Sequence, residues 1–193
     1  MRVIEVSQQI FIGPLIDFEY PQRELLLFAQ RIQSNAQAPY SNFKVGAAVR
    51  NISGGMSLGV NVERATYTQT THAEQNAVDS LIVKYGPGGI DAVAICAING
   101  QGIEKPLAEI SLADLPFPCG HCLQIIWENC IAGQEAEIFT YLGNGLAARA
   151  KISSLLPLRF GPSNLGVDVF ASQKPKEVSD AIPTLLVLPS RSG

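Results

Sequence analysis

The 193-residue chain has two histidines, His72 and His121, and four cysteines, Cys96, Cys119, Cys122 and Cys130. Cys119-Gly120-His121-Cys122 sets two thiols three residues apart, on one face of a helix, where they can grip a single ion. His121, two positions after Cys119, turns to another side. His72 is left as the histidine available to join the two sulfurs. One His and two Cys fill three of zinc's four tetrahedral positions, the pattern of a catalytic site rather than a closed structural one. Glu74 follows His72 by two residues, an offset unsuited to ligating the same ion but within reach of a water at the open position. It is placed as a general acid/base. A lone C-x-x-C also suits a redox pair or a structural clamp, and a lone H-x-E says little. Their joint occurrence at two helix starts favours zinc catalysis. Cys96 and Cys130 fall in a buried strand and at a helix end and read as core residues.

Such a site needs elements that bring two helix starts together. Ala73, Ala77, Leu81 and Tyr85 recur every fourth residue and predict a helix over 71–85, with Thr70 or Thr71 as its cap and Gly86 as its stop. A further helix is predicted over 119–128. Both donor segments therefore open helices, whose positive ends and free N–H groups favour thiolates. Leu25, Phe28, Ala29 and Ile32 after Pro21 predict an earlier helix over 21–34. Stretches 44–50 and 57–62 flank Asn51-Ile52-Ser53-Gly54-Gly55 and read as a β-hairpin. The apolar run 90–98 reads as a strand buried on both faces, in the middle of a sheet. A surface loop over 99–115 follows, and 137–141 is a strand reached by a parallel crossover. The expected fold is α/β, with helices packed on a mixed sheet. Residues 1–19 form an N-terminal segment, 20–166 the domain, and 167–193 a Ser-, Pro- and Lys-rich tail with one apolar run, 185–188.

Net charge is −3 and the pI about 5.4, so no basic stripe favours nucleic acid, and a small-molecule ligand is the expected partner. No apolar run approaches the ~20 residues that span a bilayer. Residues 10–16 imitate a signal core, but Glu5 precedes them and Pro14 interrupts them, so a cytoplasmic location and no membrane partner are expected. Four clustered cysteines do not make a secreted disulfide scaffold. Charged residues are 16% of the chain against a usual ~25%, which suggests surface buried in an oligomer.

His72-Ala73-Glu74 followed by Pro118-Cys119-Gly120-His121-Cys122 follows the H-x-E, P-C-x-x-C pattern of zinc nucleobase deaminases. Over about residues 20–166 the chain resembles the cytidine deaminases. Ala38-Pro39-Tyr40-Ser41-Asn42-Phe43-Lys44-Val45-Gly46-Ala47-Ala48 is similar to that family's opening segment, and Gly59-Val60-Asn61-Val62-Glu63 to its ribose-binding motif. The resemblance implies a three-layer α/β/α sandwich, one zinc ion per chain on His72, Cys119 and Cys122, and Glu74 as the catalytic acid/base. It implies hydrolytic deamination of cytidine or deoxycytidine to uridine or deoxyuridine plus ammonia, in pyrimidine salvage. It further implies that Asn61 and Glu63 hydrogen-bond the sugar hydroxyl and that Phe43 packs on the nucleoside. The N–H of Ala73 and the carbonyl of Phe117 would recognise the base edge, and Phe160 would help close the pocket. An Asn and a Glu at i and i+2 of a strand share one face, which suits a diol.

With His72 rather than a third cysteine, and with Leu155-Leu156-Pro157-Leu158-Arg159-Phe160-Gly161-Pro162 downstream, the chain is closer to the longer homodimeric members of the family. Those carry a second, zinc-free copy of the domain, for which the stretch after Gly166 is too short. Identical chains are expected to take its place, as a dimer or tetramer. Tyr67 aligns with a tyrosine near the subunit junction of the short members, with a core role as the equal alternative. Leu123 stands where the family usually has an Arg that can donate to a ligand thiolate. A His/Cys/Cys set carries one negative charge fewer than a three-cysteine set, so this loss is expected to be tolerable. The alternatives are a deaminase of a modified nucleoside or polynucleotide, and a non-catalytic zinc- and nucleoside-binding protein. The acidic pI speaks against a polynucleotide and the intact Glu74 against the non-catalytic reading.

Overall fold

A computed structural model describes residues 1–98, 102–130 and 135–167. Six strands form one mixed sheet in the order β1-β6-β5-β4-β2-β3, with β1 Ile10–Pro14, β2 Gly46–Asn51, β3 Met56–Val60, β4 Ile90–Cys96, β5 Glu137–Gly143 and β6 Leu146–Lys151. The helices are α1 Tyr20–Ile32, α2 Ala73–Tyr85, α3 Gly120–Glu128 and the single turn α4 Ile152–Leu155. β4 and β5 run parallel across α3, and the other neighbours are antiparallel. The expected mixed sheet, its buried central strand and its parallel crossover are all present.

Apolar residues on both faces of the sheet dictate three layers. On one face Leu25, Leu26 and Ala29 of α1 pack with Phe18 on Ala48, Ala92, Ala94, Phe139 and Ala147. On the other, Ala77, Val78 and Leu81 of α2 and Ile126 of α3 pack on Val49, Val93, Ile95 and Ile138. Small residues set how closely the helices approach. A Cβ at Gly59 would collide with the carbonyl of Ala73 and the amide of Ala77, while one at Gly46 would meet the α1 carbonyl of Ala29 and stand 2.7 Å from the Gln33 amide. Glycines on the β2–β3 ribbon thus seat α2 and α1 against the sheet.

Helix ends follow local chemistry. Pro21 lies in the first turn of α1, where a capping box joins Glu19 and Gln22. Gly86, at φ 84°, ends α2 with its N–H on the carbonyl of Ile82. The cap of α2 is His72, not the threonines. Thr71 instead exchanges backbone hydrogen bonds with Val62 at 3.1 and 2.9 Å.

Other differences have physical causes. Strand β1 lies within the N-terminal segment 1–19, so the folded unit begins before residue 20. It pairs with β6 from Ile10↔Ala150 to Pro14↔Leu146. A short strand ending in Gly-Pro at a sheet edge gives little periodic signal. The β6 sequence Leu-Ala-Ala-Arg-Ala-Lys is built from helix formers, and its place between β1 and β5 overrides that propensity. The loop expected at 99–115 is irregular over 102–115 apart from two short 3-10 turns, Leu107–Glu109 and Leu112–Asp114, and residues 99–101 lie outside the described residues. The tail expected at 167–193, with its run 185–188, lies outside them from residue 168.

Candidate active site

The two donor segments meet at the N-termini of α2 and α3. His72 caps α2 and Cys119 caps α3, and neither side chain is spent on a cap hydrogen bond. The Nδ1 atom of His72 is 3.5 Å from the Sγ of Cys119 and 3.3 Å from that of Cys122. All three donor atoms lie within 4.8 Å of one another. The two thiols and the imidazole thus face one point in space, and both helix ends add positive potential to the cluster. His121 contributes no donor to it; its exposed ring stands edge-on to His72 with centroids 5.7 Å apart.

One imidazole nitrogen and two sulfurs on rigid helix starts are a donor set that fits zinc. Burial, with the neighbouring charges of Glu74 and Cys119 next, pushes the Cys122 thiol well above the ordinary thiol range. A cation beside such a sulfur favours its ionised, ligating form. Glu74 lies in the first turn of α2, 6% exposed, near enough for its charge to act on the Cys122 thiol. Ala73, between His72 and Glu74, is also buried.

The remaining predicted residues surround this cluster. Asn61 and Glu63 follow β3 rather than lying within it, so they do not share one face of a strand. Both turn to the segment 40–45. Asn61 Oδ1 accepts from the amide of Val45 at 2.8 Å, and its Nδ2 donates to the carbonyl of Phe43 at 2.9 Å. The Glu63 carboxylate accepts from the amides of Tyr40 and Ser41, at 2.8 and 3.2 Å, and from the Ser41 hydroxyl. The Ser41 hydroxyl and the Tyr40 amide hold Glu63 below the usual carboxylate range. Ser41 had no part in the sequence argument; its signal was its place in the opening segment. The Val62–Thr71 bridge then fixes this unit beside His72.

Phe43 is 45% exposed and Phe160 65% exposed. The Phe160 carbonyl accepts from the Nε2 of Gln124 on α3 at 2.7 Å, two residues beyond Cys122. Phe117 is half-buried and packs against the cluster under α2 and α3. Tyr67 is not a core residue; its exposed ring packs on that of Tyr40 at 5.8 Å. Cys96 and Cys130 are buried in the core as expected.

A His/Cys/Cys cluster and a buried carboxylate at two facing helix starts, on an α/β/α frame, define a zinc-dependent hydrolase site. The family described as the cytidine and deoxycytidylate deaminase zinc-binding region matches residues 20–133. A cytidine deaminase of Halalkalibacterium halodurans is 34% identical over 139 residues, which are 70% of this chain and 92% of that protein. One from Vibrio cholerae is 37% identical over 135 residues, 68% of this chain but 37% of that protein. Among solved structures, a cytidine deaminase from Burkholderia pseudomallei superposes with a TM-score of 0.55 at 30% identity, covering 71% of this chain and 97% of that one. The chain belongs to the cytidine and deoxycytidylate deaminase family.

Proposed function

We propose that the protein hydrolyses cytidine, deoxycytidine or both to uridine or deoxyuridine, releasing ammonia, in pyrimidine salvage. The observation that carries this reading is the convergence of His72, Cys119 and Cys122 with Glu74 beside them. Bound zinc would supply Lewis acidity at neutral pH, through the three side chains that hold it. Glu74 then takes the two protons of the attacking water in turn, passing the first to N3 of the pyrimidine and the second, from the hydroxyl left on C4, to the departing amine. Water adds at C4, the C4–N4 bond breaks, and ammonia leaves. The amide of Ala73 and the carbonyl of Phe117 hold the base edge, Phe43 packs on the nucleoside, and Phe160 covers it. Asn61 and Glu63 keep a free amide hydrogen and free lone pairs for the sugar hydroxyl after their bonds to 40–45 are made.

We further propose that identical chains associate, as a dimer or tetramer, and that the protein works in the cytoplasm. The low charge content and the exposed Tyr40, Phe43 and Tyr67 support association. Free cysteines suit a reducing compartment. None of the described helices is long and apolar enough to cross a membrane. Light scattering on the purified protein reads the assembly, and a monomer at micromolar concentration would refute it.

Ammonia release from cytidine and from deoxycytidine tests the activity. Glu74→Ala is expected to keep zinc and lose turnover by about 10²- to 10⁴-fold, the range of general acid–base catalysis. Turnover at the wild-type rate in Glu74→Ala would overturn the role given to Glu74.

A further inference from the structure

Thr140 lies in β5, between Phe139 and Tyr141, with no exposed surface. A buried hydroxyl is costly unless it is hydrogen-bonded. The Oγ1 of Thr140 donates to the carbonyl of Pro116 at 3.1 Å. That carbonyl belongs to Leu115-Pro116-Phe117-Pro118-Cys119, the segment that delivers both the Phe117 carbonyl and the Cys119 thiol. Pro116 and Pro118 have no N–H, so this segment has few donors with which to fasten itself. The Phe117 amide bonds within the segment, to Leu115 at 2.9 Å. The loop start is also tied to the β5–β6 ribbon, through Ile103 N–H to Leu142 at 2.8 Å and Asn144 Nδ2 to Ile103 at 3.0 Å. Both ends of the 102–118 loop therefore hang on the β5–β6 ribbon, and among the described residues the Thr140 hydroxyl makes the one hydrogen bond that ties the end nearest the site to that ribbon.

We propose that Thr140 is a positioning residue: through Pro116 it sets where the Phe117 carbonyl stands, and so tunes recognition of the exocyclic amino group of the base. The proposal rests on the reading of the site given above. A carbonyl accepts from the amino group of cytidine but has no donor to meet at the corresponding oxygen of uridine. Displacing it therefore affects substrate and product differently.

The test compares Thr140→Val, which keeps the shape and removes the hydroxyl, with Thr140→Ser, which keeps the hydroxyl. For Thr140→Val we expect KM for cytidine to rise about tenfold with kcat within threefold. The inhibition constant of uridine and the zinc affinity, read by chelator competition, should stay within twofold. Thr140→Ser should restore KM to within twofold. Amide hydrogen exchange at Phe117, Cys119 and Gly120 should quicken at least tenfold in Thr140→Val, with α1 and β2 unchanged. Equal weakening of cytidine and uridine, failure of Thr140→Ser to rescue, or a wild-type KM in Thr140→Val would overturn the proposal. If the wild-type protein releases no ammonia from cytidine, the deaminase reading fails. The exchange measurement still decides the positioning, and unchanged exchange in the segment would refute it.

Discussion

Gly59 tests how the sheet positions the site. It is the β3 residue paired with Ala47, and its backbone does not need glycine, since its φ is not among the positive ones. Replacing it with Ala should therefore cost nothing in conformation and gain ~0.4–1 kcal/mol from a stiffer unfolded chain. Space dictates the opposite sign. The new Cβ would stand 2.9 Å from the Cα of Ala77 and collide with the Ala73 carbonyl and the Ala77 amide, all backbone of α2. Carbon atoms rest about 3.5–4.0 Å apart, so α2 would have to lift by roughly 1 Å at the turn that carries Glu74 and follows His72. Overpacking of this kind costs about 1–3 kcal/mol, and a rigid backbone neighbour places Gly59→Ala near the upper end. At about 2–4 °C per kcal/mol for a chain of this size, the melting temperature should fall by roughly 6–12 °C. A shift of about 1 Å at reacting groups can cost about 10²-fold in rate. Calorimetry and ammonia release from cytidine measure the two effects. Gly54→Ala is the control: its φ of +80° strains an alanine, but open space surrounds it in the β2–β3 turn. It should cost about 1 kcal/mol and leave the rate unchanged. A Gly59→Ala protein that melts within 1 °C of wild type at full rate would refute the close-approach argument.

The loop before the site carries its own acid-sensitive clasp. The Lys105 ammonium, then the Ser111 amide and hydroxyl, lower the Asp114 carboxyl from 3.8 to about 2. A lowered folded value means that its stabilisation is present above the unfolded value and is lost as pH falls toward about 2. Asp114→Asn should therefore flatten the fall in unfolding free energy between pH 4 and 2, and an unchanged slope by urea titration would argue against the clasp. Removing zinc with a chelator should expose Cys119 to a thiol reagent first, because Cys119 is exposed while Cys122, Cys96 and Cys130 are buried. Fast labelling of Cys96 or Cys130 in the folded protein would contradict their core positions.

The donor set was legible because its chemistry is local: C-x-x-C at one helix start and a His beside another need no knowledge of the rest of the chain. Strand β4 was legible because an unbroken apolar run of strand length has few other places to go than a sheet centre. The strands β1 and β6 were not legible, since each is defined by its partner: Ile10–Pro14 is too short to show a period, and the alanines of β6 favour helix until the sheet claims them. Asn61 and Glu63 were singled out only through the family resemblance, as groups for the sugar hydroxyl. Their bonds to Phe43, Val45, Tyr40 and Ser41 join parts of the chain some 16 to 23 residues apart, and no local spacing encodes such pairings.

Leu123 shows how a residue can look like a departure at the site and belong to the core. On the sequence it stands beside Cys122, at a position where the family resemblance leads one to expect an Arg. In the structure it is 5% exposed, its amide bonds the carbonyl of Cys119 at 2.9 Å, and its side chain joins the cluster of Ala73, Ile126 and Ile138. From the first turn of α3 it shares this apolar cluster with Ala73 at the start of α2, so it contributes packing at the junction of the two helices. Leu123→Ala should then cost about 2–5 kcal/mol, the range for a buried Leu cut to Ala. Urea unfolding should show a lower midpoint at unchanged slope, with zinc still bound below the transition. A Leu123→Ala protein with the wild-type midpoint would refute the core role given to Leu123.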